Sequence, residues 1–273
     1  DAKSGKFVEA SIACEDCHGP GSAHANSTKR DDIVNPAALD DELANYVCAR
    51  CHSRGRDTRS GQPYPVGFVA GDDLTRTFSL ESPTPDKNSP GFWGNGAARV
   101  HHAQFNEFRQ SKHFRNDVKC FDCHEVHRFR ARAPSRETRL MARTERFSLA
   151  TRARFICLKC HENRETDYGT VTRDGKIVDA HTHHPPVIGR GDPGVAAASA
   201  DAKPLKRMEC PDCHMVKVAG GENGYDTRSH SFRVPEPQDT VKYGVPNACN
   251  NCHGKESAEW AQKQISEWRK LPR

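Results

Sequence analysis

Apolar residues follow a helical period in only a few short segments of this chain. The clearest apolar stripe is predicted over 257–270 and is formed by Trp260, Ile265, Trp268 and Leu271. The spacing of apolar positions also predicts short helices over 40–52, 97–112 and 144–160. Alternation typical of strands is rare, and stretches rich in proline or glycine separate the segments. The pattern therefore predicts mostly coil with short α-helices and few or no β-strands.

The composition leaves little apolar material for an ordinary protein core. Of the 273 residues, 35% are hydrophobic and 28% are charged, and the mean hydropathy is −0.84. A chain this polar does not offset the entropy of folding by burying its own side chains alone. It is either largely disordered or built around an apolar group that is not an amino acid. No apolar run reaches the length of about 18 residues that a membrane-spanning helix needs, so we expect no membrane span.

All 12 cysteines occur in six copies of one motif, Cys-x-x-Cys-His. This motif is the attachment site of a c-type haem, in which both thiols bond to the porphyrin and the histidine coordinates the iron. Zinc sites, redox dithiols and disulfides also use paired cysteines, but none needs a histidine at the next position. The sequence therefore predicts six covalent haem c groups. The attachment residues are Cys14, Cys17, Cys48, Cys51, Cys120, Cys123, Cys157, Cys160, Cys210, Cys213, Cys249 and Cys252, and the proximal ligands are His18, His52, His124, His161, His214 and His253.

Six haems account for the polar composition. Sharing 273 residues among six motifs leaves about 45 residues for each, and a porphyrin is larger than any aromatic side chain. We expect the haems to form the core and the polypeptide to surround them as a thin layer. Because any boundary would cut through haem contacts, we predict a single hexahaem cytochrome c domain over 1–273.

The haems would also offset the positive charge of the chain. The formal net charge of +5 would by itself suggest a nucleic-acid partner. Two propionates and one ferric centre per haem would add about −6 in total, which brings the oxidised protein close to neutral. We therefore predict no nucleic-acid partner and assign arginines to the propionates. The candidates are Arg128, Arg130, Arg132, Arg152 and Arg154.

Nine further histidines are candidates for the distal position on each iron. They are His24, His101, His102, His113, His127, His181, His183, His184 and His230. Six distal ligands are needed, so histidine alone can saturate every iron, and bis-histidine ligation lowers the reduction potential relative to histidine–methionine. We predict His24, His101, His127, His183, His184 and His230 as the distal ligands. Met215 is expected to pack against a haem edge.

The choice around residue 101 stays open. A helix that begins near His101 places this residue on the same face as Phe105 and Phe108, which would direct it into the haem core. His101 is therefore preferred to its neighbour His102 and to His113, which follows on the same segment.

The choice within 181–184 stays open as well. Two prolines follow His184 directly, so the segment is not expected to be helical. In an extended segment, neighbouring side chains point to opposite faces. His183 and His184 could then serve two different haems, with His181 as the alternative.

Several stretches resemble known multihaem cytochromes. Residues 14–24, Cys-Glu-Asp-Cys-His-Gly-Pro-Gly-Ser-Ala-His, resemble the family that includes the small tetrahaem cytochromes of nitrifiers. Residues 111–113 followed by 120–127 resemble the broad group shared with ammonia-forming nitrite reductases and hydroxylamine oxidoreductases. The cytochrome portion of tetratricopeptide-fused multihaem proteins is closely resembled by 181–185, 210–215, 228–232 and 246–253. The resemblance implies bis-histidine haems in closely stacked pairs that pass electrons.

The predicted function is electron transfer through a closely packed chain of six haems. We expect redox proteins as partners, and head-to-tail self-polymerisation is possible because a heterologous interface that does not close produces a filament. The chain would then be the subunit of an extracellular cytochrome filament, or nanowire. Covalent haem attachment takes place outside the cytoplasmic membrane, which predicts a periplasmic, cell-surface or extracellular location in a prokaryote.

Two other functions are considered. A multihaem reductase of a small nitrogen or sulfur oxyanion, or a soluble periplasmic electron shuttle to one, is the alternative. A reductase needs an iron with an open position and acid–base groups around it. Nine spare histidines favour saturated irons, and no motif carries the lysine that the nitrite reductases have in place of the proximal histidine, so we predict no enzyme activity. The apolar stripe of 257–270 could instead dock the chain onto a reductase or porin complex.

Overall fold

Short helices joined by irregular segments make up most of the structure. The computed structural model describes residues 12–124, 126–127, 156–157, 159–161, 170–184, 210–221 and 224–270. Its α-helices are α1 (Cys14–His18), α2 (Ser22–Ser27), α3 (Asp41–His52), α4 (Gln104–Phe108), α5 (Cys120–Cys123), α6 (Cys210–His214), α7 (Gln238–Tyr243) and α8 (Ala258–Trp268). Four single turns of 3-10 helix lie at Arg30–Asp32, Pro36–Ala38, Leu74–Arg76 and Phe114–Asn116.

The strands of the described residues form three separate two-stranded sheets. They are β1 (Gly55–Asp57) with β2 (Phe78–Leu80), β3 (Thr170–Arg173) with β4 (Lys176–Asp179), and β5 (Lys217–Gly221) with β6 (Gly224–Arg228). The first two pairs are antiparallel, with Arg56 opposite Ser79 and Val171 opposite Val178. No helix in this part of the chain is long and apolar enough to cross a lipid bilayer.

The two longest helices lie where the sequence predicts them. The helix expected over 40–52 is α3, whose first turn carries acidic residues and whose last turn carries Arg50 and His52, as the helix dipole favours. The helix expected over 257–270 is α8, where the Ser257 hydroxyl caps the first turn by accepting from the Trp260 amide. Of the helix expected over 144–160, residues 156–157 and 159–160 are helical, and the others lie outside the described residues.

The helix expected over 97–112 is wrong for most of its length, because only α4 is α-helical there. An antiparallel bridge between Phe92 and Ala98 and a parallel bridge between Val100 and Gly220 keep the preceding residues extended. The pairing with Gly220 is a contact across 120 positions of the chain, which the local apolar spacing does not contain. Tertiary pairing therefore overrides the helical pattern.

The described residues fall into two compact units. The first takes the residues up to Val126 together with Val218–Arg233, and the second takes those between His127 and Lys217 together with Val234 onward. Each unit contains three of the Cys-x-x-Cys-His motifs. The single domain expected from the sequence stays a prediction.

Aromatic rings form most of the apolar interior of the first unit. The Tyr46 ring meets the Phe105 ring edge-on at 5.7 Å between centroids, and the Phe114 ring meets Phe108 at 5.7 Å. The buried members of this cluster are Tyr46, Ala49, Phe68, Leu74, Phe78, Phe105 and Phe108. The cluster packs α3 against α4, and both elements lead directly into residues of the candidate site.

The second unit is held by contacts of α8. The side chain of Arg173 on β3 lies 3.5 Å from the Glu267 carboxylate, and the Gln262 side chain accepts from the Gln238 amide at the start of α7. Ala261 and Ile265 on α8 are buried. Of the predicted apolar stripe, Ile265 is buried, Trp260 and Trp268 are partly buried, and Leu271 lies outside the described residues.

Candidate haem-binding sites

Where the chain is described, three Cys-x-x-Cys-His motifs lie wholly in α-helices, namely in α1, at the end of α3 and in α6. In the third motif α5 ends at Cys123, and residues 249–253 form a turn in which the His253 amide donates to the Cys249 carbonyl at 2.8 Å. One turn brings residues three and four positions apart to the same side, so both thiols and the imidazole can reach one group. In α1 and α5 the aspartate before the second cysteine accepts from the amide that precedes the helix, with Asp16 to Ala13 at 2.9 Å and Asp122 to Lys119 at 2.7 Å. This cap explains why so short a helix forms at the motif.

The cysteines fit thioether attachment better than the other uses of paired thiols. All 12 are outside disulfides, and Cys14, Cys51, Cys123, Cys160 and Cys252 are exposed, although cysteine is among the most buried residue types. No group of three or more histidine, cysteine or acidic side chains is arranged to hold a bare metal ion in the described ranges. In five of the six motifs one thiol is exposed and the other is partly buried, and a covalent haem would cover such a pair beside its histidine.

Three proximal histidines each face a second histidine at nearly the same distance. The pairs and their ring-centroid separations are His124–His230 at 6.2 Å, His181–His214 at 6.0 Å and His184–His253 at 6.1 Å. The first pair lies in the first unit, and the other two lie in the second. Each pair combines one motif histidine with one of the nine further histidines.

This separation matches two imidazoles bound to opposite sides of one metal ion. An imidazole–metal bond is about 2.0 Å long, and bond lengths of about 1.35 Å place a ring nitrogen about 1.15 Å from the ring centroid. Two such halves in line put the centroids about 6.3 Å apart. The residues present therefore fit a haem iron with two axial histidines.

Hydrogen bonds fix which ring nitrogen carries the proton in several of these histidines. The Nδ1 atoms of His18, His24 and His230 lie 2.7, 2.7 and 3.1 Å from main-chain carbonyl oxygens of Val34, Lys29 and Arg228. His184 Nδ1 bonds to the Thr182 carbonyl in the same way. A carbonyl oxygen only accepts, so Nδ1 donates and Nε2 carries the lone pair that binds a metal.

The environment of His230 favours the neutral ring. Burial lowers the pKa of His230 to about 4, against the opposing effect of its bond to the Arg228 carbonyl, and nearby His124 and His52 lower it further. The ring is therefore uncharged at neutral pH, which is the form that coordinates a metal.

A tight turn places the histidines of 181–184. The Asp179 carboxylate accepts from the amides of His181 and Thr182 at 3.0 and 2.7 Å, and His183 takes a positive φ of 55°. His183 stacks on the Trp268 ring at 4.8 Å between centroids. The turn therefore directs His181 and His184 to two different motif histidines and leaves His183 against the tryptophan.

A cavity of about 600 Å³ lies beside the second motif. Cys51 lines it together with Arg50, Arg54, Arg56 and His102. Glu81 is the acidic residue of the lining and pairs with Arg54 at 3.1 Å. A volume between about 300 and 1,000 Å³ is usual for a small-molecule site, and the excess of arginines suits carboxylate groups such as propionates.

Motifs within each unit approach one another closely. The thiols of Cys48 and Cys120, from the second and third motifs, lie close enough to shift each other's pKa, which is lowered for Cys48 and raised for Cys120. In the second unit, burial and the neighbouring thiols of Cys249 and Cys252 raise the pKa of Cys213 to about 11. Groups attached at such neighbouring motifs would lie side by side.

Comparison with known proteins identifies the fold. No protein-family model and no curated protein matches the chain. Among solved structures, the crystal structure of the outer cell wall cytochrome OcwA matches with a TM-score of 0.60 and 23% identity, over 96% of this chain. The chain has a multihaem cytochrome fold. It spans 58% of the length of OcwA. The predicted fold class, with short helices and few strands, is confirmed.

The cytochrome fold places the other predicted residues as follows. His101 is exposed, lies before α4 and meets the His102 ring edge-on at 4.6 Å, so it is not on the helical face that the sequence suggested. His113 contacts the Phe232 ring at 4.4 Å. The predicted propionate partners, Arg128, Arg130, Arg132, Arg152 and Arg154, lie outside the described residues.

Sequence reasoning missed several buried polar residues of the cytochrome fold. Asn45, Asn106 and Glu107 are at most 5% exposed and bond to segments far away in sequence. For Asn106 and Glu107 the available signal was their place between two phenylalanines, Phe105 and Phe108.

Proposed function

We propose that this chain transfers electrons through six covalent haem c groups with bis-histidine ligation. When bound, haem supplies one-electron redox chemistry at its iron, and the polypeptide supplies attachment, spacing and axial ligands. Three motifs in each compact unit give two groups of neighbouring haems. With both axial positions filled by histidine, the irons have no open site, so we propose no enzyme activity.

The observation that carries this proposal is the set of three histidine pairs. Their centroid separations of 6.0–6.2 Å fall within a few tenths of an ångström of the about 6.3 Å expected for axial ligands. Each pair also joins a histidine that follows two cysteines to one from a distant segment. A structural histidine would not be expected to repeat this relation three times.

The pairs support specific distal ligands. We assign His230 to the haem at His124, His181 to the haem at His214, and His184 to the haem at His253. His181 replaces His183 in this assignment, because the His183 ring is stacked on Trp268.

The haem at His52 is assigned His102 in preference to His101, because His102 and Cys51 line the same cavity. The guanidinium groups of Arg50, Arg54 and Arg56 would pair with propionates there. His24, His113 and His127 remain as candidates for the haems at His18 and His161.

The proposed location is beyond the cytoplasmic membrane of a prokaryote, in the periplasm, at the cell surface or outside the cell. The need for haem attachment beyond the cytoplasmic membrane and the similarity to an outer cell wall cytochrome support it. Redox proteins are the proposed partners, and head-to-tail polymerisation into a conductive filament is the finer version of the proposal. The kinship to the cytochrome portion of tetratricopeptide-fused proteins is likewise a proposal, which rests on the motifs of 181–253.

The test uses the purified holoprotein. Its intact mass should correspond to six attached haems, and electron paramagnetic resonance should show low-spin ferric haem. The ferrous protein should bind no carbon monoxide, and film voltammetry should show reversible transfer of six electrons. Rapid binding of one equivalent of carbon monoxide to the wild type would instead indicate an open iron and a reductase. Electron microscopy of the same sample decides between uniform threads and discrete particles.

A further inference from the structure

Glu107 is a buried carboxylate with an unusual set of partners. It lies in α4 and is 2% exposed. Its Oε1 accepts from the Ala98 amide at 2.9 Å and from the Ser229 hydroxyl at 2.7 Å, and its Oε2 accepts from the His230 amide at 2.9 Å. Acidic residues are almost never fully buried unless they are paired in this way. One carboxylate therefore joins α4 to the segment that carries a proposed axial ligand.

Further hydrogen bonds hold residues 229–231 in one conformation. The Ser229 and Ser231 hydroxyls lie 2.7 Å apart, and the Ser231 amide donates to Ser229 Oγ at 3.2 Å. The His230 ring donates from Nδ1 to the Arg228 carbonyl. With its backbone held by Glu107 and its ring held by Arg228, His230 has few ways to turn away from His124.

The helix that carries Glu107 is itself tied to the second motif. The Asn106 amide side chain accepts from the Arg54 amide at 2.8 Å and donates to the Arg54 and Glu81 carbonyls at 2.9 and 2.7 Å. Arg54 follows the motif histidine His52 by two positions. The adjacent side chains of Asn106 and Glu107 therefore connect the second motif to the distal side of the third.

Filling space alone does not explain a buried carboxylate at position 107. Removing a charge from water is costly, and apolar residues of similar volume fill such sites at least as well. What the carboxylate adds is two oxygens that accept directional bonds from the His230 amide and the Ser229 hydroxyl.

We propose that Glu107 is a positioning residue for the axial ligand His230: it holds the 229–231 backbone so that the His230 ring faces His124. The proposal rests on the proposed function, in which these two histidines bind one iron. Glutamine at position 107 would keep the shape of the side chain but replace one acceptor oxygen with an NH₂ donor. That donor would face an N–H or O–H group, and two donors form no hydrogen bond. Loss of that acceptor frees the segment and lets the ligand detach.

The test compares four holoprotein variants for haem content and carbon monoxide binding. His230→Ala removes the ligand and should bind one equivalent more than the wild type. Glu107→Gln should bind a substantial fraction of one equivalent of carbon monoxide when ferrous. When ferric, it should show a high-spin signal from the same fraction of that haem. Ser229→Ala, which removes one of the three bonds, should bind a smaller fraction. Glu236→Gln, the same substitution at an exposed glutamate in the second unit, should bind none.

The outcomes separate the two proposals. If Glu107→Gln keeps six haems and binds no more carbon monoxide than Glu236→Gln while His230→Ala binds one equivalent, the positioning role is refuted and the ligand assignment stands. If His230→Ala binds none, the ligand assignment fails and the positioning role fails with it. Should Glu107→Gln not accumulate, Ser229→Ala decides: a gain supports positioning, and no gain refutes it.

Discussion

Replacing His181 or His183 with alanine distinguishes two placements of the same short segment. The sequence favours His183 as a ligand, whereas the turn at Asp179 brings His181 to 6.0 Å from His214 and stacks His183 on Trp268. The two variants remove the same chemical group two positions apart. Each is therefore the matched control of the other.

The expected magnitude follows from the number of motifs. In the His181→Ala protein, one of six haems should lose its distal ligand while its thioether bonds keep it in place. Carbon monoxide titration of the ferrous protein should give one equivalent per chain, and the low-spin ferric signal should fall by about one sixth. The His183 ring cannot substitute without leaving its stack on Trp268. The His183→Ala protein should keep the wild-type spectrum.

The reverse result would refute the reasoning. If His183→Ala opened one iron to carbon monoxide and His181→Ala did not, residues 181–184 would be extended in the haem-bound protein, as expected from the prolines that follow them. If both variants bound one equivalent, the two histidines would serve different haems, and the stack on Trp268 would not describe the loaded protein.

Three further predictions follow from single side chains. Asn45→Ala removes the partly buried bonds that this side chain makes with the Val118 carbonyl at 3.1 Å and the Cys120 amide at 2.8 Å, and should lower the free energy of unfolding by about 2–4 kcal/mol in denaturant titration. Bonds donated by neighbouring amide and hydroxyl groups hold the pKa of the Asp57 carboxyl below its usual value. Its charged form therefore stabilises the fold above the ordinary carboxyl pKa, and this contribution disappears as the pH falls through the lowered folded value; the melting-temperature gap between wild type and Asp57→Asn should shrink on acidification. Trp268→Ala removes the ring that meets His184 edge-on at 5.8 Å and should change the paramagnetic resonance of one haem without changing the haem count.

The parts of this fold that could be read from the sequence depend on local chemistry. Six repeats of one motif indicate the cofactor, and the apolar spacing with matching end charges indicates α3 and α8. These signals need no knowledge of distant contacts, because the residues that produce them lie within one or two helical turns.

The parts that could not be read depend on partners far away in the chain. The bond between Ser229 and Glu107 joins residues 122 positions apart, and the bridge that keeps Val100 extended comes from Gly220. At 181–184 the decisive residue is nearer, since Asp179 caps the turn. Its effect was hidden because the prolines after His184 are equally compatible with an extended strand.

The hydrogen bonds from histidine Nδ1 to main-chain carbonyls have a consequence for the cost of moving an electron. Atoms around a redox centre must shift when its charge changes, and rings whose second nitrogen is tied to the backbone, as in His18, His24 and His230, shift little. The reorganisation energy of a haem bound by such a ring would therefore be small, and electron exchange with a neighbouring haem correspondingly fast. Each acceptor is a main-chain carbonyl, which every amino acid has, so no single substitution deletes the acceptor. The low reorganisation energy would therefore persist while the surrounding side chains are substituted.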